Sequence, residues 1–218
     1  MAVILQLALV RLLDAWGIRP SATTGHSSGE IAAAFAAGAL SFEDAIAVAY
    51  IRGRLTHDFV QAGRARGAMT AVAASMAKAA EYMATAGTGP AAVVACVNSP
   101  ASVTISGDAA ALDRIEALAR ADSAFVRRLR VPAAYHSAEM EALAADYHAG
   151  LSAHVQGSRN FTATCSSSVT GGIMSDASLV RDPGHWVRNM TQPVQFDDCL
   201  RAMILGADQA SRRSVPQV

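Results

Sequence analysis

The chain has 218 residues, 52% of them hydrophobic and 17% charged, so it can bury a sizeable core and is not an intrinsically disordered segment. Its 18 Lys+Arg balance its 18 Asp+Glu, and a formal net charge of zero excludes the basic field that gathers nucleic acid or an anionic membrane surface. Lys78 is the only lysine, so an anionic ligand would have to be held locally, by an arginine.

Val3, Ile4, Leu7, Val10 and Leu13 recur at helical spacing and are closed by Gly17 and Pro20, which predicts a core helix ahead of any strand. A short strand over 22–24 then runs into Thr24-Gly25-His26-Ser27-Ser28-Gly29-Glu30 and the apolar helix 31–37, the layout of a nucleophile elbow. Gly25 and Gly29 are expected because the turn is too tight for side chains there, and its strain projects Ser27 Oγ over the sheet. The N–H of Ser28, at the helix start, would face an oxyanion forming beside Ser27. The same residues also suit a plain turn that ends a strand.

Ser41 is placed to cap the next helix, with Asp44 near its third position. On that helix Ala45, Val48, Ala49, Arg52, Leu55 and Phe59 share one face. Arg52 must therefore snorkel to an edge or meet an anion, because a guanidinium left unpaired in the interior costs several kcal/mol. From 67 to 131 the pattern becomes strand 68–73, helix 75–85, strands 91–97 and 103–106, helix 109–120 and strand 125–131. This βαββαβ order predicts a ferredoxin-like subdomain over 63–131, inserted into an α/β core made of 1–62 and 132–206.

Pro132 ends that unit, and Tyr135-His136-Ser137 leads into a helix whose Met140, Leu143, Ala144, Tyr147 and Leu151 share a face. His136 would sit at the positive end of the helix dipole, which keeps its ring neutral and available as a base, although a lone histidine is more often a satisfied structural one. His57, His148, His154 and His185 are assigned structural roles, as is His26 on the residues alone. A strand over 161–169, the Gly171-Gly172 turn, and Trp186 and Asn189 follow. Pro193-Val194-Gln195-Phe196 then opens a final helix over 197–205, and the polar tail 207–218 has no period and is expected to be disordered. Cys96, Cys165 and Cys199 are odd in number and lack C-x-x-C spacing, which fits buried thiols of the cytoplasm better than disulfides or zinc. Residues 1–10 lack the basic start of a signal peptide, and no other stretch has transmembrane length.

The runs Gly25-His26-Ser27-Ser28-Gly29-Glu30, Arg52-Gly53-Arg54-Leu55, Gly67-Ala68-Met69, Asn98-Ser99-Pro100 and Ser106-Gly107-Asp108 occur in order along the chain. Ala134-Tyr135-His136-Ser137 with Met140, Ser167-Ser168-Val169-Thr170-Gly171, and Trp186 with Asn189 and Pro193-Val194 complete the set. In these runs the chain resembles the acyltransferase domain of type I polyketide synthases, of the fungal highly reducing type. It is more distantly similar to the malonyl-CoA:acyl-carrier-protein transacylase of fatty-acid synthesis. The resemblance implies a hydrolase-like α/β core with a short parallel sheet and flanking helices, carrying the ferredoxin-like insert. It further implies Ser27 as the acylated nucleophile, His136 as its general base and Arg52 as the clamp for the free carboxylate of a malonyl group. His26, Ser28, Tyr135, Asn189 and Gln195 would complete the substrate site, and a backbone carbonyl within 189–195 would orient His136 in place of a triad aspartate. No cofactor would be bound permanently. Malonyl-CoA would be the donor and the phosphopantetheine thiol of an acyl carrier protein the acceptor, beside a ketosynthase and other domains of a larger synthase.

An aromatic residue before the base crowds the α-carbon of the acyl group, and family members that take malonyl commonly have Phe there while methylmalonyl types have Ser. Tyr135 is Phe-like and so implies malonyl. Thr56 stands where the family usually has Met, and His185 where it has an aromatic residue. The family's N-terminal G-Q-G-x-Q motif and its C-terminal G-P-H stretch have no counterpart, so the resemblance is to a domain lacking both ends. Two alternatives accompany it: a serine thioesterase of the α/β-hydrolase fold, which would need an acid between serine and histidine in the chain, and an inactive truncated remnant.

Overall fold

The computed structural model describes residues 2–155 and 160–213. Helix α1 (Ala2–Ala15) ends where Gly17 turns into the left-handed region at φ +77°. It is not the core helix its composition suggested. Only Val3 and Leu7 are buried, while Ile4, Leu5, Leu9, Leu12 and Leu13 face outward. Adjacent apolar pairs such as Ile4-Leu5 and Leu12-Leu13 point around the cylinder, and the α2 (Gly29–Ala36) and α3 (Phe42–Gln61) helices cover only one side of it. Strand β1 (Ala22–Thr23) lies between α1 and α2 in sequence, and α3 starts at the predicted cap, with Asp44 N–H donating to Ser41 Oγ at 2.9 Å.

The chain then forms β2 (Gly67–Val72), α4 (Met76–Thr85), β3 (Ala92–Ser99), β4 (Ser102–Asp108), α5 (Ala109–Ala121) and β5 (Val126–Arg128). The helix expected after His136 is instead a 3-10 segment, Ala138–Leu143, followed by α6 (Ala144–His154). The Glu139 carboxylate turns back out of that tight first turn to accept from the backbone N–H groups of Arg66 (2.6 Å), Gly67 (2.8 Å) and Ala134 (2.6 Å). The strand predicted over 161–169 contracts to β6 (Thr164–Ser167), which makes a hairpin with β7 (Gly172–Ile173) through Gly171 at φ +72°. Then come α7 (Pro183–Thr191), β8 (Val194–Gln195) and α8 (Phe196–Arg213). The last helix continues eight residues beyond 205, where a structureless tail was expected. Gly206 weakens a helix by only about 1 kcal/mol, Ala, Gln and Arg follow it, and no proline intervenes before 216. Residues 214–218 of the expected tail lie outside the described residues.

Two sheets result. In the first, ordered β1-β6-β7, β1 pairs parallel to β6 (Ala22↔Thr164, Thr23↔Cys165) and β7 runs antiparallel. The second is ordered β5-β2-β4-β3-β8, and its first four strands with α4 and α5 form the βαββαβ unit. Its fifth strand was not foreseen. Val194 and Gln195 add in parallel to Cys96 and Val97 at the β3 edge, so the later chain returns to close this sheet. One apolar core, with Ile31, Tyr147, Met140, Leu151 and Trp186, fills the space among the helices around the first sheet. A second, with Val72, Ile105, Leu112 and Ile115, lies under α4 and α5. Between them Met69, Ala95, Cys96 and Val194 pack with Leu129, Tyr135 and Phe196. All three cysteines are buried free thiols, and burial pushes Cys96 up to about 12 and Cys165 and Cys199 to about 11, which keeps them unreactive. Among the described residues no helix is long and apolar enough to cross a membrane.

Candidate active site

The end of β1 and the start of α2 place Ser27. A Cβ at Gly25 would lie 2.2 Å from both Glu30 N and Gly29 C, so no side chain fits there. Gly29 differs from expectation: its Cβ would meet only Gln6 Nε2, at 3.7 Å, because it already belongs to the first turn of α2 and not to the tight part of the elbow. Ser27 itself takes φ +53°, a left-handed backbone uncommon for serine. That conformation is held from both ends. Ser27 C=O accepts from Glu30 N–H at 3.0 Å and from Asn189 Nδ2 at 3.2 Å. The N–H of Ser28 enters no backbone hydrogen bond among the described residues, and Ser28 lines the cavity beside Ser27.

His136 also sits at positive φ, +59°, with its N–H donating to Met190 C=O at 3.2 Å. Its Nε2 is 2.7 Å from Ser27 Oγ, and its Nδ1 is 2.9 Å from the Gln192 carbonyl, within the 189–195 segment. A carbonyl can only accept, so Nδ1 carries the proton and Nε2 offers its lone pair to the serine hydroxyl. The ring is held neutral, but not mainly by a helix dipole. Burial first, and then the Arg52 charge, push His136 down to about 3, against the opposing hydrogen bond to Gln192.

Arg52 does not snorkel. It is 7% exposed, with Nη1 donating to Asn189 Oδ1 at 2.6 Å and Nη2 3.4 Å from Ser27 Oγ. Among the described residues no carboxylate forms an ion pair with it. Burial lowers its pKa, opposed by Tyr147, Tyr135 and Glu30. Thr56 on the next turn of α3 donates to the Arg52 carbonyl at 2.9 Å and lines the same cavity.

The cavity has a volume of about 670 Å³ and opens between helices α1, α2 and α3 and the second sheet. Ser27, Ser28, Arg52, Tyr135 and His136 line one side, and Met69, Cys96, Thr104 and Leu129 line the other. His26 also lines it, with Nε2 2.8 Å from Asn98 Oδ1 of β3 and the ring edge-on to Phe196. Asn189 stands behind Arg52, outside the lining. Gln195 is not brought to the site: its amide Nε2 donates to Val169 C=O at 2.8 Å and its N–H to Ser168 C=O at 2.7 Å, so it braces the 168–171 turn.

On the sequence alone Glu30 has no role and His185 only a structural one, as a departure from the family's aromatic residue, and both border the site. Glu30 is fully buried, with Oε1 2.8 Å from His185 Nε2. Its Oε2 accepts from Ser168 N–H (2.9 Å), Ser168 Oγ (2.6 Å) and Asn189 Nδ2 (3.1 Å). Burial opposes its ionisation, but the hydrogen bond and charge of His185 and the serine hydroxyls outweigh it and hold the carboxyl below its usual range. The available signal was a carboxylate opening the otherwise apolar run 31–37, which must find donors somewhere. The arrangement as a whole offers a serine hydroxyl bonded to a neutral imidazole, a fixed cation beside it and a free N–H, the components of acyl transfer through a covalent intermediate.

Three comparisons bear on this geometry. Residues 1–212 match the model of a family described as the acyl transferase domain. A highly reducing polyketide synthase of Penicillium oxalicum is 48% identical over 212 residues, covering 96% of this chain, while the chain spans only 8% of that relative's length. The crystal structure of the acyltransferase domain from module 8 of the salinomycin polyketide synthase superposes with a TM-score of 0.83 at 32% identity, covering 94% of this chain and 46% of that one. The malonyl CoA-acyl carrier protein transacylase of Coxiella burnetii superposes at 0.80 with 25% identity, covering 95% and 64%.

Proposed function

The chain belongs to the acyl transferase domain family, and from that premise we propose that it carries a malonyl group from coenzyme A, through a Ser27 ester, to the phosphopantetheine thiol of an acyl carrier protein in a polyketide synthase. The observation that carries this reading is the contact of Ser27 Oγ with His136 Nε2 at 2.7 Å, with a buried arginine 3.4 Å from the same oxygen. Nε2 takes the hydroxyl proton as Oγ bonds to the thioester carbonyl carbon, and the C–S bond breaks as that proton passes to the leaving thiolate. The second half runs in reverse with the carrier thiol: its proton goes to His136 Nε2, sulfur bonds to the acyl carbon, and the bond from that carbon to Ser27 Oγ breaks as the proton passes from His136 back to Oγ. Ser28 N–H is the oxyanion donor this chain supplies.

Arg52 presents a planar cation to the substrate carboxylate, a task for which a lysine would be a poorer fit. A carboxylate seated there also offsets the charge that depresses His136, so the correct substrate strengthens its own base. Tyr135, beside the base and in the cavity wall, crowds an α-methyl branch and favours malonyl over methylmalonyl. Residues 63–131 would supply the opposite wall as a subdomain inserted between 1–62 and 132–206. A hydrolase triad is less well supported, because His136 Nδ1 meets a backbone carbonyl instead of a carboxylate.

The test is intact-mass measurement after incubation with malonyl-CoA, with Ser27→Ala as control. A single malonyl adduct absent from the Ser27→Ala protein is expected, with transfer to a carrier thiol faster than hydrolysis. A folded protein that gains no mass would point instead to an inactive remnant, and equal loading by methylmalonyl-CoA would overturn the role given to Tyr135.

A further inference from the structure

Arg52 is oriented by one short bond, to Asn189 Oδ1 at 2.6 Å. That bond requires the amide to face one way. Its Nδ2 is committed to two acceptors, Ser27 C=O at 3.2 Å and Glu30 Oε2 at 3.1 Å, and while both are present Oδ1 must turn to the guanidinium. Ser27 C=O is already shared with Glu30 N–H, so the carboxylate is the stronger fixed acceptor. Glu30 in turn is aimed by its other oxygen. His185 Nε2 holds Oε1 at 2.8 Å, and the histidine is itself buried, edge-on to Trp186. Without that donor Oε1 would lose its short hydrogen bond in the interior, and the carboxylate would turn toward the hydroxyls of Ser167 and Ser168 that remain.

We infer that His185 is a positioning residue for Arg52, acting through Glu30 and Asn189, and that this relay sets the preference for acyl groups carrying a free carboxylate. The second half of the inference rests on the acyl-transfer function proposed above; the first half does not. A flipped Asn189 would present NH2 to the guanidinium, donor against donor, and Arg52 would swing free of its place beside Ser27. Acyl groups without a carboxylate make no ion pair with Arg52, so their loading registers any change in the fold, in Ser27 or in the basicity of His136, and the malonyl-to-acetyl ratio divides that shared change out. The relay therefore separates substrates by charge and not by size.

The experiment compares wild type, His185→Phe and His185→Gln in two readouts. The first is the NMR signature of the Arg52 guanidinium, whose Nη resonances are separate while rotation is blocked and merge when it is released. The second is the ratio of Ser27 loading rates from malonyl-CoA and acetyl-CoA. His185→Phe is expected to merge the Arg52 resonances and to lower the malonyl-to-acetyl ratio about tenfold, the worth of one hydrogen bond to a charged group. Gln places an amide donor near the Nε2 position and is expected to restore both. Should His185→Phe not fold, Glu30→Gln serves, since one amide cannot be an acceptor to every donor around Glu30, and it is expected to release Arg52 in the same way. Unchanged Arg52 resonances and an unchanged ratio in a folded variant would overturn the inference. If wild type loads no acyl group but its Arg52 resonances respond as stated, positioning stands and the acyl-transfer reading falls.

Discussion

Glu139 is a side chain whose removal should be costly for its size. One carboxylate accepts from Arg66 and Gly67, where the chain crosses to the second sheet, and from Ala134, where it crosses back, at 2.6, 2.8 and 2.6 Å. Bonds to a charged acceptor contribute about 1.5–3 kcal/mol each. Arg66 is exposed and its N–H regains water, so it is discounted, whereas Ala134 is buried and Gly67 half-buried. The two remaining bonds put Glu139→Ala at about 3–6 kcal/mol, or a fall in Tm of about 6–24 °C for a chain of this length. Glu139→Gln keeps an acceptor but turns an NH2 toward one of the donors, and should fall about midway. Urea denaturation at pH 7 with matched m-values measures both. Because Ala134 lies two residues before His136, Ser27 loading should also slow in the folded fraction. A Glu139→Ala protein within about 1 kcal/mol of wild type would refute the claim that these crossings are pinned by one group.

Gly25→Ala should abolish the folded state, since its Cβ would lie 2.2 Å from backbone, while Gly29→Ala should be neutral or stabilise α2 by about 0.5–1 kcal/mol; soluble yield and circular dichroism separate the two. Acid should destabilise the protein through two groups of the same sign. His136, depressed from 6.5 to about 3, leaves the unfolded chain binding a proton that the native state does not, so stability falls as pH drops below 6.5. Glu30, held below its usual range, adds a further loss as pH falls below about 4.5. From pH 7 to 5 the histidine alone accounts for about 2 kcal/mol, and His136→Phe should flatten that part of a urea-monitored pH profile. Arg52→Ala should raise the titration midpoint of His136, read by NMR, because the guanidinium is the second cause of its depression; a midpoint that stays or falls would contradict that assignment.

What the sequence disclosed follows the range over which each signal acts. The helices and the βαββαβ unit are periodic over ten residues or more, and Ser41 announces its own helix through a contact three positions away. Ser27, Arg52 and His136 each sit in a local pattern, and the fold brings them together. The cradle around them has no such pattern. Glu30 and His185 are 155 positions apart, and either is an ordinary polar residue until the other is known. Strand β8 has two residues and no period, and what makes it a strand is the free edge of β3. Gly29 was misassigned because a motif does not say which of its glycines is sterically required, and α1 because apolar content does not say whether a partner covers it.

The return of the chain to β3 has a practical meaning for anyone who would transplant this unit. Cutting at 63 and 131 would yield four strands of a five-stranded sheet and leave β3 with an open edge. It would also strip the support from the segment whose Gln192 carbonyl aims His136, just ahead of β8. A graft that preserves both pieces needs a third seam, at 192–196, and swaps made across only two seams should give insoluble donors and misaligned hosts together.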